Sequence, residues 1–474
     1  MPEVDVPLFS GVYRNIDDTV ANDRSHRLVD GILDDGPSIF SRPGLTSRVQ
    51  LVEPSGQTFG TIDGLFWWDE KRLYVAVSQG IVWHGATVEA MTPSFGDRLL
   101  QGAKPTFAAD ATNLYIANGT RIVKWNSSIS PVYLSDAQAP VNVTHIALLD
   151  TYLIANQVGS NTFYYSEVGN PESWLALSFA SAESEPDVIT SLIKFRGEIY
   201  LHGRKTLEIW QDDGQTPFSR VNGGSFDTGC ISPYSVVQLD NTIMWLSDKR
   251  QFVQFGGGGI ERFSSEYDKD IGKFSVVADC IAYRLDVLGK TLAVFQFPSE
   301  QKTLVYNATN GNWGEFGLWN SAGGFHEPFL GISHCYVPET GTILLGSRKT
   351  DGFIYEMRDT YVTDNGTPIN LLLQSGHINY GTNTEKISNS FSLRVKRGYV
   401  SDSSEPVARL RFRDDNKAWD NERQFSLGKL GDYFNTFKRH RLGRYRTRQY
   451  ELRCSDPVGF VFSEAKEEIE ATGR

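Results

Sequence analysis

Several residue sets in this 474-residue chain are of types that do chemistry, and their spacing decides what each could do. Carboxylates gather in AESEPDVIT, which holds Glu183, Glu185 and Asp187, and in WQDDG, which holds Asp212 and Asp213. A glycosidase needs two carboxylates facing one pocket across the scissile bond. These sit at the edges and turns of short apolar runs, so they read as solvated turn residues. The eight histidines are scattered without an HxH or HExxH, and His334-Cys335 are strand neighbours that point to opposite faces. No metal site and no cofactor are expected. There is no GxxxxGK[ST] or GxGxxG phosphate cradle and no GxSxG nucleophile turn. GGGG at 256–259 lies between two strands with no helix after it and reads as a turn. No catalytic residue is assigned. Cys230, Cys280, Cys335 and Cys454 are far apart and read as isolated, reduced thiols.

The basic residues near the C-terminus have more pattern. In VARLRFR, Arg409, Arg411 and Arg413 alternate with Ala408, Leu410 and Phe412, so a strand would put three guanidiniums on one face and the apolar set on a core. Arg444, Arg446 and Arg448 have the same spacing, Arg394 and Lys396 form a third pair, and KRHRLGRYR adds Arg439 and Arg441. If these strands are neighbours, one sheet face is strongly basic. One reading is an ordinary solvated face; the other is a docking face for an acidic partner or for passing DNA. Residues 366–474 carry 19 Lys+Arg against 14 Asp+Glu, a local +5, which leaves −16 for residues 1–365 out of a total of −11. An acidic body is joined to a basic module.

The elements that must position these residues repeat. NLYIANGTRIVKW, from 113, reads as a hairpin turning at Asn118-Gly119, and similar phrases start at 72, 198 and 242. Aligned on their middle strand, the copies centre on Tyr74, Tyr115, Leu153, Tyr200, Met244, Ala293 and Leu344, roughly 40 to 50 residues apart, the period of a four-stranded propeller blade. Radial packing buries both faces of such a meander and leaves only short edges. Trp174 and Trp313 read as wedges between blades. The expected fold is all-β, with an irregular N-terminal arm over 1–56, a six- or seven-bladed β-propeller over 57–362, its first or last unit open to sharing with a flanking domain, and a C-terminal antiparallel β-sandwich-like domain over 363–474. MPEVDVPLFS has neither the basic nor the apolar region of a secretory leader, and no apolar run approaches the ~20 residues that span a bilayer.

One long stretch, SEPDVITSLIKFRGEIYLHGRKTLEIWQDDG at 184–214, carries a resemblance. Its Pro186-Asp187, its two apolar strands, Gly203 and Thr206-Leu207-Glu208-Ile209-Trp210 fall in the order seen in the tail hub, or nozzle, proteins of short-tailed, podovirus-type phages, the packaged-DNA stabilisation family. RPGLT, with Arg42, Pro43 and Gly44, and the basic KRHRLGRYR match in register. The resemblance implies a non-enzymatic virion tail component, assembled in the host cytoplasm, that forms a sixfold ring below the portal and its adaptor. It implies that the ring closes the DNA exit channel, passes DNA without reading its sequence, and attaches tailspikes or fibres and a needle or plug. Two other classes stay open on the residues alone. A glycan-active propeller enzyme would need convergent carboxylates and arginines. A cellular scaffold propeller would be expected to show Gly-His and Trp-Asp endings, which these repeats lack.

Overall fold

All seven repeat centres lie on the second strand of a four-strand antiparallel meander, which in blades six and seven belongs to a larger sheet, as the computed structural model of the chain shows. The structure describes residues 3–8, 27–34, 38–52, 60–94, 100, 104–182, 187–214, 217–264, 267–397, 405–428 and 434–472. Blades one to six each use four strands in chain order, starting at Gly64–Trp68, Thr106–Ala109, Ile146–Leu149, Ile189–Phe195, Val237–Gln238 and Ile281–Val287, and all but blade two use consecutive ones. Leu114–Ala117 and Ile243–Leu246 are buried at every position. A strand covered on both faces by neighbouring blades loses the alternation of a half-exposed strand and becomes a continuous apolar run, which is what made the anchors recognisable.

The seventh blade is completed from far away in sequence. Gly331–Val337, Thr342–Ser347 and Phe353–Arg358 form its first three strands, and Gly44–Gln50 pairs antiparallel with Phe353–Arg358 as the outer one, Leu45 opposite Met357. The described strands thus form a seven-bladed propeller. Between blades two and three, Trp174 shares a buried cluster with Tyr115, Ile122, Ile146 and Leu153; between five and six, Trp313 packs with Phe252, Phe295 and Leu304. Both are inter-blade wedges.

Two turns differ in detail. Gly256–Gly259 is a two-residue hairpin with Gly257 and Gly258 at φ +63 and +89, the left-handed conformation that a type I′ turn requires. Asn118-Gly119, expected to close a tight hairpin, instead opens a five-residue loop. Thr120–Arg121 leaves the blade to pair with Val141–Val143, and the Gly119 N–H donates to Val143 O at 2.6 Å.

The C-terminal body is a two-sheet sandwich. One sheet runs in the order Gly31–Leu33, Ile39–Ser41, Phe460–Ala471, Lys386–Arg397, Phe434–Tyr445, with Glu3–Asp5 also on Phe460–Ala471. The other continues blade six: Asn312–Glu315 is followed by Arg27–Val29, Leu371–Gln374, Arg448–Cys454, Val407–Asp414 and Arg423–Ser426, nine strands in all. Phe391, Leu393 and Val395 of the first sheet meet Leu373, Leu410, Phe412 and Leu452 of the second in one core. The described parts of the N-terminal arm therefore stitch the molecule together, lying beside blade six, closing blade seven and extending the sandwich.

Candidate functional site

The family-type residues at 42–44 lie where these bodies meet. Arg42 is fully buried, and each of its five N–H donors has an acceptor. Nε donates to Asp30 Oδ1 at 2.7 Å, Nη1 to Asp364 Oδ1 at 2.9 Å and Pro43 O at 3.1 Å, and Nη2 to Asp364 Oδ2 at 2.5 Å and Gly317 O at 2.8 Å. Phe316 and Phe329 lie 5.6 and 4.9 Å from the guanidinium carbon. Burial alone would lower the pKa of Arg42, but Asp30 and Asp364 outweigh it and hold the group charged above its ordinary value. Gly44 is needed for space, because a Cβ there would stand 2.3 Å from Thr363 O. One guanidinium thus pins the N-terminal arm, the link between blades six and seven and the start of the C-terminal body.

The second motif is also a fastener. Pro186, Glu183 and Glu185 lie outside the described residues. Asp187 Oδ2 accepts from Lys205 N at 2.6 Å, Thr206 N at 3.0 Å and Thr206 Oγ1 at 3.1 Å, closing the turn between the second and third strands of blade four. A Cβ on Gly203 would meet that oxygen at 2.3 Å. Glu208 is buried and accepts from Trp210 Nε1 at 3.0 Å, while Trp210 packs edge-on to Phe163 of blade three, 5.2 Å between centroids. Asp212 Oδ1 caps its own turn through Gly214 N at 2.9 Å. The described motif residues hold strands in place.

The basic residues divide into three groups. Arg409, Arg411 and Arg413 do share the face opposite buried Ala408, Leu410 and Phe412. Two of them are already engaged: Arg411 Nε lies 2.7 Å from Glu451 Oε1, which also takes Arg453, Arg413 Nε donates to Gln449, and both guanidiniums lie about 5 Å from the Trp419 ring centre. Arg394 and Lys396 are exposed on the other sheet, Arg394 lying over Phe434. Because each ladder turns its apolar partners inward, the two ladders lie on opposite outer faces of the sandwich and make no common basic face. The third expected ladder is broken. Arg444 ends one strand, Arg446 sits in the corner where the chain crosses between sheets, and Arg448 starts the next. Arg448 is fully buried, bonded to Asp414 at 2.6 and 2.9 Å, to Glu467 at 3.1 Å and to Leu442 O at 2.7 Å, so it is a core ion pair and not a docking residue. Arg439, Arg441, Arg444 and Arg446 are exposed, and of these only Arg444 has an ion-pair partner among the described residues, Glu385 at 3.6 Å.

Sequence reasoning missed the counter-ions Asp30, Asp364, Glu451 and Glu467, which pair with arginines on other strands or across turns. It did register the run Lys438-Arg439-His440-Arg441, where four consecutive charged or polar residues break the alternation. Along the propeller axis a cavity of about 410 Å³ is lined by inner strands of several blades, with Lys104, His145 and Tyr234 in its wall. Burial pushes the pKa of His145 down to about 4, and that of nearby His202 to about 3.

Fold and contacts define a structural β-propeller with a sandwich module, in which the recognisable motifs serve strand positioning. The chain belongs to the phage stabilisation family described as "Bacteriophage P22 Gp10, beta-propeller", whose model matches residues 64–362, and this makes it a virion-associated structural protein of phage tail stabilisation. No curated protein matches its sequence. Among solved structures, the N-terminal domain of Nup159 aligns at 8% identity and TM-score 0.41, over 68% of this chain and 95% of that one. BBS1N, in its complex with ARL6DN, aligns at 12% and 0.42, over 67% and 98%. PorZ of the Porphyromonas gingivalis type-IX secretion system aligns at 10% and 0.40, over 81% and 46%. Scores this low carry no argument about function.

Proposed function

We propose that this protein is the ring-forming hub, or nozzle, of a short phage tail. It extends and closes the DNA exit channel below the portal and its adaptor, and offers attachment to tailspikes or fibres and to a needle. The observation that carries this reading is the family match over the propeller, joined here to a C-terminal body that shares one nine-stranded sheet with blade six. A plug on pressurised DNA must transmit force between subunits without coming apart. The Arg42 cluster and the shared sheet supply that stiffness, since separating the two bodies would expose three buried charges and break continuous ladders. The exposed cations of the C-terminal body, Arg394, Lys396, Arg409, Arg439, Arg441, Arg444 and Arg446, suit an acidic partner in the tail: the adaptor or a neighbouring subunit. Six copies in a ring need one heterologous interface repeated. Negative-stain imaging of the protein alone and of virions labelled for it tests the reading. A sixfold annulus at one capsid vertex is expected; a labelled chain that is absent from the tail, or present there without an annulus, overturns it.

A further inference from the structure

Besides the Gly31–Leu33 end, the first sheet of the sandwich has two edge strands of opposite charge. At one end, Phe434–Tyr445 pairs, among the described strands, only with Lys386–Arg397, so its far side offers unpaired backbone donors and acceptors, apart from Leu442 O, which takes Arg448 Nη2. Lys438, Arg439, His440 and Arg441 are all exposed there, and among the described residues none makes an ion pair. On the other side, next to the Gly31–Leu33 and Ile39–Ser41 hairpin, Glu3–Asp5 pairs, among the described strands, only with Phe460–Ala471, with Glu3 and Asp5 exposed.

Register extends this asymmetry across the outer face. Glu3 lies opposite Glu468, and Asp5 opposite Lys466, whose Nζ is paired to Glu464 at 2.7 Å. Next come Ser390, Ser392 and Arg394 of the adjoining strand, then His440, Lys438 and Thr436 of the basic edge. The face passes from acidic to basic across four strands. Exposed edges are usually shielded by charge against chance pairing, but that purpose calls for like charge on both edges, since opposite charges invite the pairing.

We propose that the acidic edge at Glu3–Asp5 of one copy adds to the basic edge at Lys438–Arg441 of the next, so that the sheet continues from subunit to subunit. Strand directions fit this. The strands Glu3–Asp5, Phe460–Ala471, Lys386–Arg397 and Phe434–Tyr445 are each antiparallel to the one before, so the two edges run in opposite directions. A copy related by rotation presents its first edge antiparallel to its neighbour's last edge without being turned over. The contact is heterologous, which closes into a ring when the rotation per step divides a full turn. Backbone bonds supply adhesion, and the charge pattern selects the partner edge and rejects the like one. This inference rests on the ring reading and names its seam.

The test uses two full-length variants. One carries Arg439→Glu and Arg441→Glu, which makes both edges acidic; the other carries Glu3→Lys and Asp5→Lys, which makes both basic. Sedimentation velocity at low salt should show wild-type oligomers, each variant alone as a monomer with at least tenfold weaker association, and oligomers restored in an equimolar mixture. All four reversed positions are exposed, so circular dichroism should show unchanged folding. If each variant assembles like wild type, the seam lies elsewhere while the ring stands. If wild type stays monomeric even when captured on virion tails, the ring itself fails and the seam with it. If the basic-edge variant assembles normally but loses affinity for a duplex DNA probe, the edge serves nucleic acid and the inference is overturned.

Discussion

Replacing Arg42 by Met leaves Asp30 and Asp364 facing each other in the core with nothing between them. The wild-type guanidinium makes three charge-assisted bonds to the two carboxylates and two to the carbonyls of Pro43 and Gly317, all inaccessible to solvent. Removing one partner of a buried ion cluster costs about 3 to 5 kcal/mol, mainly because the remaining charge is stranded. Arg42→Lys keeps the charge but has at most three donors on one atom, so it satisfies at most three of the five acceptor contacts and should fall between Met and wild type. Burial already raises the pKa of Asp364, and Arg42 acts to lower it. Without the arginine that carboxyl must take up a proton to stay folded. A folded-state pKa above the unfolded one gives stability that is complete at low pH and lost as pH rises, so the deficit of Arg42→Met should shrink as pH falls from about 7 towards 4. Urea unfolding of the full chain, followed by tryptophan fluorescence at several pH values, measures this. The triple variant Asp30→Asn, Arg42→Met, Asp364→Asn removes the cluster as a whole and should recover more than half of the loss. A deficit under about 1 kcal/mol, or a triple variant no better than Arg42→Met, would refute the argument.

Three further outcomes follow from the geometry. Gly44→Ala drives a Cβ to 2.3 Å from Thr363 O and should cost about 1 to 3 kcal/mol or more, because backbone must move; equal urea midpoints for Gly44→Ala and wild type would contradict it. Asp187→Ala strips the acceptor from Lys205 N, Thr206 N and Thr206 Oγ1, at a cost of about 1 to 3 kcal/mol, and should open the 203–206 turn to protease, while Asp187→Asn keeps one acceptor oxygen and should do less harm. His145 and His202, held neutral by burial with pKa values near 4 and 3, bind protons in the unfolded chain first. Their contribution is complete above about pH 6.5 and is lost as pH falls, by about 5 kcal/mol for the pair at pH 4.5, so His202→Leu should recover about half of that in acid and little at pH 8.

The seven anchors were legible because burial on both faces leaves apolar runs such as Leu114–Ala117 and Ile243–Leu246, whose recurrence survives divergence elsewhere. The outer strand of blade seven was not. Gly44–Gln50 meets Phe353–Arg358 some 300 residues later, and GLTSRVQ on its own shows no partner. Arg42 and Asp364 are 322 residues apart, each in a turn-like setting that normally means exposure, so nothing local marks them as buried. Alternation also misled at Arg444, Arg446 and Arg448, because spacing by two cannot show that the strand ends at Tyr445 and a new one starts at Arg448 in the opposite sheet. Conversely, Lys438-Arg439-His440-Arg441 held a readable signal. Charged residues, including inward-pointing ones, are among the devices that mark and protect an edge strand.

The route of the chain gives the family motif at 42–44 its meaning. The strand that closes the propeller is made first, and the blade it closes is made last, so closure joins residues separated by nearly the whole propeller and is a slow, non-local event. Until then Phe353–Arg358 is an unpaired edge open to wrong partners. The Arg42 cluster ties that closure to the sandwich: Asp364 lies just past blade seven, and Asp30 just after the strand that bridges blade six to Leu371–Gln374. The five bonds of Arg42 can form together only when the ring is closed and the sandwich is docked. A chain with a mispaired seventh blade would leave Asp30 and Asp364 without their arginine. That coupling ties closure of the propeller to docking of the sandwich through one buried ion cluster.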